Sequence, residues 1–308
     1  MSSVFAALLP VFLLIVLGFG LRRYLLKEEA HWIGLERLVY FVLFPALLIE
    51  TLSKANLSSV PIGGVGGALL LAVLTVAVLC LLLRPILQSR LGIDGPAFTS
   101  IFQASIRWQT FVALAVANNL YGDRGVALAS VAMVAMIPLL NVLSVTVLAR
   151  YARPHRLSFP ELLSTIARNP LIWACVVGLG LNLSGLPIPA IAHDFIDALG
   201  RAALAVGLLV VGAALQMNDL MRPGAPALLT MVLKLMLMPA IAITYGIVFG
   251  LSGISLAVVA CCASVPAASN AYVLAKQMGG DAPLLAQVLT LQTIVAVVTM
   301  PVVIALVT

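Results

Sequence analysis

The sequence predicts an all-α polytopic membrane protein of ten transmembrane helices, arranged as two inverted repeats of five. Three observations carry this expectation. Of the 308 residues, 63% are hydrophobic and only 9% are charged, whereas soluble domains carry about 25% charged residues. The chain divides into ten apolar runs, near 3–21, 34–53, 62–83, 97–119, 125–149, 164–184, 195–216, 224–250, 254–278 and 283–307. Each approaches the roughly 20 helical residues needed to cross a hydrocarbon core of about 30 Å. Finally, Asn119-Leu120-Tyr121-Gly122-Asp123 aligns with Gln277-Met278-Gly279-Gly280-Asp281, placing two Gly-Asp breaks after the fourth span of each half. Because five is odd, the second copy enters the membrane upside down, and the fourth and ninth spans meet at the midplane.

The first run begins without a basic segment and is followed by Arg22 and Arg23 rather than by a small-residue cleavage site, so it reads as a span and not a signal peptide. With the N-terminus outside, Arg22, Arg23, Lys27, Arg37, Arg84, Arg90, Arg150, Arg153, Arg156, Arg168, Arg222 and Lys276 fall inside, against Lys54, Arg124 and Arg201 outside. This positive-inside bias predicts a protein of the cytoplasmic (inner) membrane with both termini outside. It also accounts for the net charge of +6 without a nucleic-acid partner. The halves are expected at 1–152 and 164–308, joined by a short basic cytoplasmic connector at 153–163.

Cys80, Cys175, Cys261 and Cys262 all lie in apolar runs without metal or redox spacing, and His31, His155 and His193 are scattered in loops. No metal, redox cofactor or catalytic residue is expected. An intramembrane enzyme is disfavoured as well: Asp281 sits at a turn and no His-Glu-x-x-His helix is present.

The ninth run is interrupted by Val265-Pro266-Ala267-Ala268-Ser269-Asn270-Ala271-Tyr272. Proline removes a backbone donor and disturbs the carbonyl one turn earlier, and unsatisfied polar groups cost about 2–7 kcal/mol in apolar surroundings. A broken helix at membrane depth is tolerated where it is buried in protein or lines a watered cavity. Pro266, Ser269 and Asn270 are therefore candidate substrate-binding residues. Asn270 is expected to cap the restarting helix, whose N-terminus, rich in free N–H groups, suits a carboxylate.

Arg107 lies about ten residues into the fourth run, near the midplane at 1.5 Å per residue. It needs a partner there: Glu50, free carbonyls or an anionic substrate. Lys234 raises the same question in the eighth. Gln109, Asn141, Gln287 and Gln292 are carboxamides at internal depth. Gln109, Asn141 and Arg107 join the substrate site by position. Acidic residues are scarce at depth, so a coupled sodium ion would be held by carbonyls and by side-chain oxygens of Gln287, Thr290 or Gln292. Pro45, Pro138, Pro239 and Pro301 are read as helix kinks, with Pro138 shaping a cavity wall near Asn141.

These motifs resemble the auxin efflux carrier family, within the larger group that includes bile acid sodium symporters. The resemblance is carried by Asn169-Pro170-Leu171-Ile172, Gly212-Ala213-Ala214-Leu215, Lys234 to Pro239, and Pro266 through Ala275. It implies that spans one, two, six and seven form a scaffold and that broken fourth and ninth helices cross in a transport domain. It further implies elevator-like alternating access, small organic anions as substrates, sodium or proton coupling in some members, and a homodimer through the scaffold. The first crossover departs from the family pattern: Gln109 stands for an asparagine, and Ala113 and Ala115 for a glycine and a proline, so this helix is expected to be less broken. The function expected is secondary transport of a small organic anion across the lipid bilayer. A transmembrane solute sensor on the same fold is the alternative.

Overall fold

The computed structural model describes residues 2–54, 62–152, 170–185, 189–215 and 223–308, and among them every regular element is helical. In chain order these are α1 (Ser2–Tyr24), α2 (Glu29–Lys54), α3 (Ile62–Leu91), α4 (Gly95–Ile106), α5 (Thr110–Tyr151), α6 (Pro170–Ser184), α7 (Ala190–Ala213), α8 (Ala225–Val248), α9 (Gly253–Ser264), α10 (Asn270–Met278) and α11 (Ala282–Ala305). The connector at 153–163, with Arg153, His155 and Arg156, lies outside the described residues, as do Arg168, Asn169 and Arg222. Helices α2, α3, α7, α8 and α11 are long and apolar enough to cross a membrane, and shorter apolar helices accompany them. The protein is a helical polytopic membrane protein.

Prolines shape two of the long helices in the same way. In α2, residues Val39–Leu43 widen into a π-helical turn just before Phe44-Pro45; in α8, Val232–Leu237 do so before Met238-Pro239. Proline cannot donate to the carbonyl four residues back, and its ring clashes there. Opening the preceding turn by one residue moves that carbonyl away, a local π-bulge of the kind found at working sites.

Two packing groups emerge. Helices α1, α2, α6 and α7 pack tightly on one another, while α3, α4, α5, α8, α9, α10 and α11 form a second assembly, joined to the first mainly through α5. In the first group glycines allow backbone contact. A Cβ added at Gly18 would lie 2.1 Å from the Leu209 carbonyl oxygen, and one at Gly212 would lie 1.8 Å from that of Ile15. The pairing of 18 with 209 and of 15 with 212 makes α1 and α7 antiparallel. Small residues at such seams let helices approach where no hydrophobic drive favours association over lipid contact. Gly212→Ala is accordingly expected to cost about 2 kcal/mol or more, read as a lower melting temperature in detergent. Gly20→Ala, with nothing within 4 Å, is expected to cost nothing and serves as the control.

Both short helices α4 and α9 stop in extended backbone. Arg107 has φ −71° and ψ 152°, and Val265 has φ −66° and ψ 151°. Helix α5 resumes at Thr110 and α10 at Asn270. The first crossover is interrupted although no proline stands there, and its break of three residues, 107–109, is shorter than that at 265–269; Ala113 and Ala115 lie within α5. What replaces the lost ladder is tertiary. The Gln109 backbone N–H donates to the Pro266 carbonyl at 2.8 Å, joining the two breaks directly.

Further along, Gly122 (φ 56°) breaks α5 and Gly279 (φ 80°) ends α10, both in the left-handed region that favours glycine. Asp281 accepts from the Leu284 N–H at 3.0 Å and caps α11; Asp94 does the same for α4 through Ala97. Ser100 donates to the Asp281 carbonyl at 2.8 Å, so the turn before α11 is tied to the start of α4.

Candidate functional site

A cavity of about 580 Å³ lies where the two breaks meet, lined by the first residues of α5 and α10, by the break residues, and by the first half of α2. That volume suits a small organic solute. Arg107, Gln109, Asn141, Ser269 and Asn270, all foreseen as substrate-binding residues, line it together.

The side chains are cross-linked across the breaks. Arg107 Nη2 donates to Asn270 Oδ1 at 2.9 Å and to Asn141 Oδ1 at 3.4 Å. Gln109 Nε2 donates to Ser269 Oγ at 3.1 Å. The longer glutamine at 109 thus spans from one crossover to the other. Pro266 does not line the cavity; it is buried, and its contribution is the carbonyl that receives the Gln109 N–H. Asn270 differs from its expected role. Ser269 occupies the cap position without a side-chain cap bond, and Asn270 is the first helical residue, turned toward Arg107. The guanidinium competes successfully for its carboxamide oxygen because a charged donor forms the stronger bond.

Arg107 is 7% exposed, and its Nη1 has no hydrogen-bond partner among the described residues; the same holds for Trp108 Nε1, on a side chain that is 2% exposed. Both residues line the cavity. These two N–H groups are enclosed by protein beside the cavity, where an unmet buried group carries a cost of about 1–3 kcal/mol. The starts of α5 and α10, lying at the same cavity, add partial positive charge. The only charged residues lining the cavity, among those described, are Glu36, Arg37 and Arg107.

Glu50 is not the partner of Arg107. Its carboxylate pairs with Lys54 and, at 3.0 Å, with His193 on α7. Lys234 is buried on the π-helical turn of α8 and does not line the cavity. Nor do the residues read as candidate ion ligands. On α11, Thr290 Oγ1 donates to the Ala286 carbonyl, and Gln287 is partly buried. Gln292 is wholly buried and acts as a strut. Its Oε1 accepts from the Ala267 N–H at 2.9 Å, while Nε2 donates to the Ala104 carbonyl at 3.2 Å and the Thr230 carbonyl at 3.3 Å. One carboxamide therefore satisfies backbone groups of both interrupted spans and of α8.

Sequence reasoning passed over Trp108, Glu36 and Tyr40. The signal for Trp108 was its place between Arg107 and Gln109. For Glu36 and Tyr40 it was their i, i+4 spacing, which puts both on one face of α2; assigning the neighbouring Arg37 to a loop hid it.

The membrane transport protein family matches residues 3–304 of the chain. An "Uncharacterized transporter" of Methanothermobacter thermautotrophicus (strain Delta H) is 25% identical over 296 residues, covering 95% of either chain.

Proposed function

Since the chain belongs to the membrane transport protein family, that of the auxin efflux carriers, and is a transporter rather than an enzyme, we propose that it moves a small organic anion across the cytoplasmic membrane through the cavity at the crossed breaks. The observation that carries this reading is Arg107, a buried guanidinium that lines that cavity beside the carboxamides of Asn141 and Asn270. A carboxylate offers about four acceptor positions and matches a guanidinium edge. Asn270 and Asn141 hold the guanidinium, and the Gln109–Ser269 pair shapes the pocket around it.

In this reading the chain forms ten spans in two inverted repeats of five, with its termini outside. The group of α1, α2, α6 and α7 serves as scaffold, and homodimers form through it. The second assembly carries the crossover and slides against the scaffold in an elevator-like cycle. The glycine-mediated seams within the first group, and the sparser contact between groups, support that division. A coupling ion held by oxygens of Gln287, Thr290 or Gln292 belongs to the same proposal and is tested by sodium dependence.

The test is a thermal-shift screen of the purified protein against mono- and dicarboxylates, amino acids and neutral isosteres, followed by flux in vesicles. A ligand at a hundred times its dissociation constant stabilises by about 2.7 kcal/mol. A carboxylate-dependent shift is expected, and Asn270→Ala is expected to weaken it about tenfold by freeing one edge of Arg107. Shifts with neutral or cationic solutes alone would remove the anion from the proposal.

A further inference from the structure

We propose that the solute taken at the crossover carries an ammonium group as well as a carboxylate, the two separated by an apolar spacer. This rests on the reading that a carboxylate binds at Arg107. The second pole is Glu36. Its side chain lines the cavity and is only partly exposed, and it forms no ion pair among the described residues. A carboxylate so placed disfavours a second carboxylate on the solute and favours a cation.

The geometry sets the spacing of the two poles. Tyr40 lines the same cavity and lies within electrostatic reach of Arg107. Glu36 precedes it by four residues on α2, and therefore stands about one helical turn, ~6 Å, from it. The charges of an α-amino acid share one carbon, so a solute that meets both Arg107 and Glu36 across that turn is an ω-amino acid. Phe111, Ile137, Leu140 and Leu171 give the cavity an apolar wall, which suits a methylene spacer. Arg37, the remaining charge, also lines the cavity but is exposed, and it forms no ion pair with Glu36.

Three six-carbon acids separate the possibilities: ε-aminocaproate, caproate and adipate, which differ only in the far end of the chain. Binding to the purified full-length protein is measured by calorimetry. ε-Aminocaproate is expected to bind at least about tenfold more tightly than caproate, the effect of one charge-assisted contact, with adipate the weakest. Glu36→Gln is expected to bring ε-aminocaproate and caproate to the same affinity, and Glu36→Asp to keep their order. If caproate equals or exceeds ε-aminocaproate in the unaltered protein, the amine has no reader and the inference is wrong, while the carboxylate site stands. Tightest binding by adipate would likewise overturn it, with Arg37 then reading the second carboxylate. Should none of the three bind, nor any other carboxylate, the failure lies in the proposed function itself. Because the unaltered protein decides among these outcomes, a Glu36 variant that does not fold leaves the test intact.

Discussion

Replacing Arg107 with leucine is expected to abolish carboxylate binding, with an affinity loss of about a hundredfold or more. Among the described residues the guanidinium is the only buried charge that lines the cavity. A hydrogen bond to a charged group is worth about 1.5–3 kcal/mol, and a carboxylate on an arginine edge takes more than one. Arg107→Lys separates charge from geometry: an ammonium keeps the sign but cannot hold Asn270 and a ligand in one plane. Its expected loss is intermediate, about tenfold. Binding isotherms on both variants, with melting curves to establish folding, check the result. Equal affinity in all three proteins would make Arg107 a purely structural charge whose partners are Asn270 and Asn141.

The second large effect is on stability. Gln292→Leu keeps the volume of the side chain but removes all three of its hydrogen bonds, leaving the Ala267 N–H and the carbonyls of Ala104 and Thr230 unmet at once. Single interhelical bonds in membranes average about 0.6 kcal/mol, because the unfolded reference finds other partners. Here three backbone groups are buried and tied to interrupted helices, and an unmet buried group costs about 1–3 kcal/mol. The expected loss is about 2–4 kcal/mol, seen as a lower melting temperature. Carboxylate affinity should fall with it, since the breaks that carry Arg107 and Asn270 lose their common strut. Gln292→Glu restores one acceptor only, and is expected to recover little. A variant as stable as the parent would mean that other groups satisfy the breaks.

Much of the site was legible in the chain because polar residues in apolar runs are costly and must be accounted for. Arg107, Gln109, Asn141, Ser269 and Asn270 stand out for that reason, and the structure brings all five to one cavity. The same logic could not distinguish a residue facing the cavity from one facing backbone. Gln109 and Gln292 look alike as buried carboxamides, yet one reaches Ser269 across the cavity and the other braces peptide groups behind it. Nor could it find Glu36, which lies close to a helix end where a charge needs no explanation.

The sequence by itself determined the helical membrane class, the interruption at Pro266 and the set of polar residues available at depth, because each follows from the cost of moving charge, carboxamide or an unpaired peptide group into hydrocarbon. Only the tertiary structure decided that the first crossover breaks at residues 107–109. No proline forces that break. The Pro266 carbonyl and the Gln292 side chain, both distant in sequence, replace the hydrogen bonds that an unbroken helix would have kept, and a helix interrupts at low cost only where such partners are already in place.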